Sequence, residues 1–236
     1  MSKPRPERLL QTIVEGPNAE LRRPISTVIV SETELKSTVL QVFDHAEPLG
    51  ISPGFNEAGS LVALAIADSK ECRIIEFQVK RPWRGKEKFS GSLSQETIEG
   101  RNTLQTKVLC RENGDLFAFD LGPLAMSLLK NLGIRVSNAI DIQSNFSAID
   151  RKPVSAIEAA LGESIKIKQE NVRGLFTHPV YDGSRHSQND LFMRAWISQF
   201  LASFGNGIML FEKAKRIDTR KLSDQVSYYI CNTVLV

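Results

Sequence analysis

Two continuous apolar runs of strand length, joined by a short polar break, constrain the fold more than any other feature of the sequence. The first run covers residues 61–67, the second covers residues 73–79, and Asp68, Ser69 and Lys70 form the break. The first run contains no polar residue, and in the second Ile74 and Ile75 are adjacent, so neither run alternates strictly between apolar and polar residues. The sequence therefore predicts an antiparallel hairpin that is buried on both faces.

Strand and helix signals alternate on both sides of this hairpin. The run 26–30 is β-branched and predicts a strand, and Ser31 and Glu34 have the capping-box spacing of a helix that ends near Ala46. The other predicted elements are strands at 107–110, 116–121 and 134–142, and helices at 121–132, 154–161 and 188–203, with a polar loop over 80–102, an irregular segment over 166–187 and a final apolar run over 226–236. This order predicts one α/β domain over residues 25–236, with a mixed sheet flanked by helices. Residues 1–24 are basic and proline-bearing, and we expect an arm that is flexible or docks on the surface.

Composition excludes several classes of protein. A hydrophobic share of 42% and a charged share of 24% are typical of a globular domain. No apolar run reaches the roughly 18 residues of a membrane helix, so we expect a cytoplasmic or nuclear protein with no membrane partner. The three cysteines, Cys72, Cys110 and Cys231, form no CxxC pair, which excludes a zinc finger and favours buried single thiols. A formal net charge of +3 neither demands nor excludes a nucleic-acid partner.

Several motifs that carry chemistry are absent. The chain contains no GxGxxG, GxxxxGK, GxSxG or HExxH pattern, so we expect no nucleotide cofactor and no zinc hydrolase site. The three histidines are scattered, which disfavours a catalytic triad. We expect His45 to cap a helix, His178 to lie in a loop before Pro179, and His186 to contact Asp190 at the start of a helix.

The order of the predicted segments resembles a known family. A segment from Leu49 to Phe55 precedes the hairpin, a strand that ends at Asp120 leads into a leucine-rich helix, and Asp141 lies in the strand that follows. Over about residues 25–204, this order resembles the ribonuclease D and Werner-type branch of the DEDD 3'-5' exonucleases. The resemblance implies an α/β fold of the ribonuclease H-like, or DnaQ-like exonuclease, type, in which Asp141 has a structural role.

The family's acidic residues are mostly missing. In the family, the first strand carries two metal-binding carboxylates in an apolar-Gly-apolar-Asp-x-Glu-aromatic pattern, but Ser52 replaces the Asp and Gly54 replaces the Glu. The third family motif is Tyr-x-x-x-Asp or His-x-x-x-x-Asp, and the pair His186 and Asp190 is one residue short of the latter. The best helical phase instead places Phe192 and Trp196 at these positions. The resemblance thus implies a degenerate site made of Ser52, Gly54, Asp120 and Asp190.

Two-metal phosphodiester hydrolysis needs several converging carboxylates, and at most two of the family's four remain. We therefore expect a pseudoenzyme without a bound metal. The alternative is an active exonuclease, with Mg or Mn, in which Glu57 or Asp68 supplies a relocated carboxylate. Both residues are also typical of polar turns, which is the favoured interpretation.

Two non-catalytic functions remain open. A basic segment with one tryptophan suits phosphate contacts and base stacking, and it predicts binding of RNA or another single-stranded nucleic acid; its residues are Lys80, Arg81, Trp83, Arg84, Lys86 and Lys88. Trp83 packed back onto apolar surface is the alternative. A second basic stretch over 213–221 is more typical of a solvated surface.

The arm and the apolar run at 228–236 favour instead a protein partner or a homodimerising adaptor. We thus predict an RNA-binding or protein-interaction scaffold in RNA processing or silencing.

Overall fold

The sheet of this domain is mixed and has the predicted hairpin at its centre. The structure is a computed structural model that describes residues 13, 26–78, 93–146, 152–162, 166–177, 180–204 and 207–222. Within these residues, seven strands form one sheet in the order β1-β4-β3-β2-β5-β6-β7. The strands are β1 (Ser26–Ser31), β2 (Leu49–Phe55), β3 (Leu61–Ala67), β4 (Glu71–Glu76), β5 (Leu116–Ala118), β6 (Ala139–Asp141) and β7 (Arg216–Ile217).

The pairing of the strands confirms the hairpin and the fold class. β3 is antiparallel to both β2 and β4, whereas β5 is parallel to β2 and β6 is parallel to β5. All residues of β3 except Val62 are buried, as the continuous apolar run predicts. β1 is parallel to β4 at one edge, and the short β7 is antiparallel to β6 at the other.

Helices cover both faces of the sheet. They are α1 (Ser37–Leu40), α2 (Gln95–Leu104), α3 (Leu121–Ser127), α4 (Ile142–Asn145), α5 (Pro153–Leu161), α6 (Gln169–Thr177), α7 (Arg185–Ser203) and α8 (Gly207–Phe211). One apolar layer holds buried side chains of α1, α2 and α3, and the other holds those of α4 to α8. The helix predicted at 121–132 is α3 with a π-helical extension, and Gly133 ends it at φ 70°. The result is a three-layer α/β arrangement.

Three predicted segments are wrong. The interval 80–102 is not all loop, since α2 begins at Gln95. Residues 107–110 are not a strand, because α2 continues as a π-helical turn over Gln105–Leu109 that Cys110 caps. A short apolar run fits either a strand or a buried helix turn. The buried residues of α2 are Thr97, Gly100, Arg101 and Leu104, and Leu104 is the one large apolar side chain among them. The segment 166–187 is not irregular throughout, because it contains α6, in which only Val172 is fully buried.

The capping box at Ser31 forms, but the helix behind it is short. Both hydrogen bonds of the box are present, and a 3-10 turn over Glu32–Glu34 follows, not a helix that continues to Ala46. The carboxylate of Glu32 is fully buried and accepts hydrogen bonds from Arg101 Nε, at 2.7 Å, and from Gln78 N, at 2.7 Å. This buried ion pair joins the end of β1 to α2.

Several predictions fall on residues outside the described ranges. These are the basic segment over 80–88, His178, Cys231 and the apolar run over 226–236. Of the arm, the structure describes Ile13, which is buried and whose carbonyl accepts a hydrogen bond of 2.7 Å from Lys168 N. Cys72 is buried, as expected, and Cys110 is partly buried. Within the described part of the chain, no helix is long and apolar enough to cross a membrane.

Candidate functional site

A cavity of about 330 Å³ lies where the parallel strands β2 and β5 end, between α3, α6 and α7. Its lining residues are Ile51, Ser52, Pro53, Phe55, Phe119, Asp120, Pro123, Leu124, Phe176, Arg194 and Ser198. The carboxyl ends of parallel strands are the usual place for ligands in α/β sheets. The resemblance in sequence points to the same place, because Ser52 and Asp120 both line this cavity.

The close approach of α7 to the sheet depends on small residues in β2. Gly50, Ser52 and Gly54 share one face of β2, because side chains alternate along a strand. A Cβ atom at Gly50 would lie 1.9 Å from the carbonyl oxygen of Ala195 and 2.5 Å from Gln199 N. The backbone of α7 therefore rests directly on β2, and its side chains reach the end of the strand.

Gly54, the position of the family's Glu, is covered by Tyr181. A Cβ atom at Gly54 would lie 2.9 Å from the Cβ of Tyr181, so a larger residue has no room unless Tyr181 moves. Tyr181 is buried, and its hydroxyl donates a hydrogen bond of 2.5 Å to Glu76. Burial and the neighbouring Glu76 carboxylate raise the pKa of Tyr181. The side chain is therefore a neutral cover over this part of the sheet.

Ser52, the position of the family's Asp, binds a buried arginine. Arg194 Nε donates to Ser52 Oγ at 3.1 Å, and the two terminal nitrogens donate to the carbonyls of Leu175, at 2.9 Å, and Pro53, at 3.3 Å. The residue is 5% exposed, and burial lowers the pKa of Arg194 to about 10. Arg194 is thus charged at neutral pH. Among the described residues, no carboxylate lies within 4.0 Å of its guanidinium nitrogens.

Asp120 has an unusual backbone conformation at the end of β5. Its φ of 51° and ψ of 45° are left-handed, and its N–H donates to the side-chain oxygen of Gln143 at 2.8 Å. The Asp120 side chain makes no capping bond to α3, although the residue precedes the helix. Partial burial and the nearby Asp141 raise the pKa of Asp120. Asp141 itself caps α4 through Gln143 N, at 3.0 Å, and Ser144 N, at 3.4 Å, in agreement with its implied structural role.

The third family motif does not follow the predicted helical phase. Phe192 and Trp196 belong to the apolar layer, whereas Arg194 and Ser198, also four residues apart, line the cavity. The predicted phase is therefore wrong. Residues 191–199 are all buried, so the hydrophobic pattern of this helix gave no face to align. Asp190 does not line the cavity but pairs with His186 at 3.5 Å, the contact expected at a helix start.

The candidate relocated carboxylates also lie outside the cavity. Asp68 caps the hairpin turn by accepting from Lys70 N and Glu71 N, both at 2.6 Å, and it pairs with His45 at 3.1 Å. His45 therefore bonds to the hairpin turn and does not cap a helix. This turn follows the residue that pairs with Gly50, so it is at the opposite end of β2 from Gly54. Glu57 is exposed in the turn after β2.

The residues present do not fit a two-metal centre. Such a centre needs several carboxylates that converge on two divalent ions. Asp120 is the single carboxylate that lines the cavity, and the described ranges contain no group of three or more His, Cys, Asp or Glu able to hold a metal ion. The buried Arg194 adds a positive charge beside the same wall, which would repel a divalent cation.

A second cavity of about 540 Å³ adjoins the first and shares Asp120 and Phe176 with it. The side chains of Lys152, Glu158 and Arg173 line this cavity as well. These residues, like Arg194 and Tyr181, are not among the site residues predicted from the sequence. A signal for Arg194 was present, since it is the one charged residue in the apolar stretch 191–203 of the predicted helix.

The strand order and the position of the site define the class of fold, which is that of ribonuclease H-like exonuclease domains. No protein-family model and no curated protein matches the sequence. Among solved structures, the Nibbler EXO domain of Aedes aegypti is similar, with 10% identity, a TM-score of 0.55, and coverage of 87% of this chain and 95% of that one. A structure of Trypanosoma brucei RNase D in complex with GMP is similar with 14% identity and a TM-score of 0.50, over 76% of this chain. The match spans 56% of that RNase D chain. These likenesses confirm the predicted fold.

Proposed function

We propose that this chain is an exonuclease-like domain that binds RNA or another single-stranded nucleic acid without cleaving it. The observation that carries the proposal is the contact between Arg194 and Ser52, at 3.1 Å. In the family that the sequence resembles, the position of Ser52 holds a metal-binding carboxylate. Here the same place holds a fixed cation, which attracts phosphate oxygens but repels Mg²⁺ and Mn²⁺.

Placing carboxylates at positions 52 and 54 would not create a two-metal centre. An Asp at position 52 would meet the Arg194 guanidinium and form an ion pair, and a Glu at position 54 would collide with Tyr181. The replacements at Ser52 and Gly54 are thus matched by side chains from α7 and the segment before it. This mutual fit supports a site that is retained for a purpose other than hydrolysis.

A nuclease assay on end-labelled single-stranded RNA tests the absence of cleavage. With Mg²⁺ or Mn²⁺, we expect the protein to shorten the RNA no faster than its Asp120→Ala variant does, because one carboxylate cannot hold two metal ions. Robust degradation that Asp120→Ala abolishes would overturn the proposal in favour of an active exonuclease.

Fluorescence anisotropy with the same RNA tests binding. We expect affinity that falls as salt rises, since phosphate contacts release counterions. Charge reversal at Arg81, Arg84 and Lys86 is expected to weaken binding and to flatten the salt dependence, as the sequence predicts for the basic segment. Absence of binding at low salt would refute the nucleic-acid function, and a salt-insensitive dimer in light scattering would then favour the protein scaffold.

A further inference from the structure

We propose that Arg194 and Ser52 form a metal-independent site for a single phosphate group in the cavity of about 330 Å³. The phosphate would be that of a nucleoside monophosphate or of the terminal nucleotide of a strand. This inference rests on the proposed function, because it assigns to the same cavity the part of the nucleic acid that enters it.

The first argument is the incomplete pairing of the guanidinium. An arginine carries five N–H donors, and the described residues satisfy three of those of Arg194, all with uncharged acceptors. Each terminal nitrogen retains one N–H, an arrangement that suits two oxygens of one phosphate. Buried charges are normally paired, and Arg194 is 5% exposed with no carboxylate within 4.0 Å of its guanidinium nitrogens in the described structure. The carboxylate of Asp190, one turn earlier in α7, favours the charged form of Arg194 but pairs with His186. An anion in the cavity would supply the missing charge.

The second argument is a comparison with the buried Arg111. This residue is 6% exposed and also donates to backbone carbonyls, those of Phe43, Glu47 and Gly114. It lines neither of the two cavities described above, so its hydrogen bonds join loops and nothing more. Arg194 makes similar bonds at the wall of a cavity. Both arginines are buried, but Arg194 lines a cavity that a ligand can enter and Arg111 does not.

The other walls indicate what the phosphate is attached to. Phe55, Phe119 and Phe176 line the cavity with Pro123 and Leu124, and these apolar surfaces suit the rings of a nucleoside. The second cavity adds no net positive charge, because its cations Lys152 and Arg173 are matched by Asp120 and Glu158, and Arg173 is already paired with Glu170. Asp120, in the wall shared by the two cavities, therefore disfavours additional negative charge there. We therefore expect a monophosphate to bind more tightly than the corresponding triphosphate.

Calorimetric titration of the whole chain in EDTA tests the site. The probes are inorganic phosphate, adenosine monophosphate and adenosine triphosphate, followed by single-stranded RNA with a 5'-phosphate, a 3'-phosphate or neither. We expect adenosine monophosphate to bind without metal and at least threefold more tightly than the triphosphate. RNA with one of the two terminal phosphates should bind more tightly than RNA with neither, and the preferred RNA identifies the end that enters the cavity.

Three variants separate a ligand site from a structural role. Ser52→Asp gives Arg194 an internal counter-ion, so we expect at least tenfold weaker binding of adenosine monophosphate with an unchanged or raised melting temperature. Arg194→Gln is expected to weaken binding as much, and Ser52→Asp still decides the question if Arg194→Gln does not fold. Arg111→Gln is the matched buried control and is expected to change the affinity less than twofold.

Two results would overturn the inference. One is that neither phosphate nor adenosine monophosphate binds in EDTA, and the other is that folded Ser52→Asp binds as tightly as the unmodified chain. If RNA still binds in either case, this inference alone fails and the proposed function stands. If RNA does not bind at all, the proposed function fails. Binding of adenosine monophosphate in EDTA, and its loss in Ser52→Asp, then show whether the phosphate site exists.

Discussion

At the scale of single residues, Asp120 shows how the backbone conformation determines the position of a carboxylate. Left-handed backbone is unfavourable for residues other than glycine, and it persists where the surroundings fix it. Here the side chain of Gln143 accepts the Asp120 N–H at 2.8 Å and holds the conformation. As a result the carboxylate does not cap α3 but lines both cavities.

A second carboxylate, Asp182, directly follows Tyr181 and makes the stability of the protein depend on pH in acid. Hydrogen bonds from the side chains of Ser184 and Ser187 and from Ser184 N lower the pKa of Asp182 to about 2. Ser187 Oγ donates at 2.7 Å and Ser184 N at 2.8 Å. A depressed pKa contributes stability above the ordinary value of 3.8, and the contribution is lost as the pH falls from about 4 to about 2. We expect Asp182→Asn to flatten the pH dependence of the unfolding free energy in this window.

Urea denaturation at several pH values between 2 and 7 measures this effect. Ser187→Ala, which removes one of the two side-chain donors, is expected to give an intermediate slope. An Asp182→Asn variant with the slope of the unmodified protein would contradict the assignment of these hydrogen bonds.

At the scale of elements, the packing of α7 on β2 depends on Gly50. Replacement by alanine would place a Cβ atom 1.9 Å from the carbonyl oxygen of Ala195, so the helix must move away from the strand. We expect Gly50→Ala to lower the free energy of unfolding by about 3 kcal/mol or more, because overpacking a rigid backbone contact is costly. Chemical denaturation measures the change.

Gly122 offers a matched control in α3. A Cβ atom there would meet nothing within 4 Å, and the residue has an ordinary helical backbone. Gly122→Ala should therefore leave stability unchanged or raise it by up to about 1 kcal/mol, through helix propensity. Equal effects of the two alanine variants would show that the close contact between β2 and α7 does not exist.

The helix α2 shows why some elements cannot be predicted from the sequence. Three of its four buried residues, Thr97, Gly100 and Arg101, are polar or small, and Arg101 pairs with the fully buried Glu32 at 2.7 Å. Residues of this kind predict a solvated loop when the partner is 69 positions away in the chain. The partner becomes visible only when the sheet brings the two segments together.

At the scale of the whole molecule, the charged groups that line the cavity predict how the melting temperature responds to metal ions. A ligand that binds the folded state at 100 times its Kd adds about 2.7 kcal/mol, which raises the melting temperature of a domain of this size by about 5–10 °C. Because the cavity offers one carboxylate and a buried cation, we expect 5 mM Mg²⁺ or Mn²⁺ to shift the melting temperature by less than about 1 °C relative to EDTA.

Differential scanning fluorimetry is sufficient for this measurement. The Asp120→Asn variant serves as the control, since it removes the one carboxylate that the described residues place in the cavity and should behave like the unmodified chain. A rise of several degrees with Mn²⁺ that Asp120→Asn abolishes would contradict the conclusion that the residues do not fit a metal centre.

The sequence by itself determined the central hairpin, the α/β class with its mixed sheet, the helix that follows Asp120, and the small residues Ser52 and Gly54 in the strand before the hairpin. These features follow from local patterns, namely continuous apolar runs, helical spacing and residue identity at fixed places. Only the tertiary structure decided which side chains contact Ser52 and Gly54. Arg194 and Tyr181 are more than 120 residues away in the chain, and α7 is buried all round, so no periodicity marks the face that meets β2. Contacts between distant segments depend on the packing of α7 on the sheet, which a local pattern does not encode.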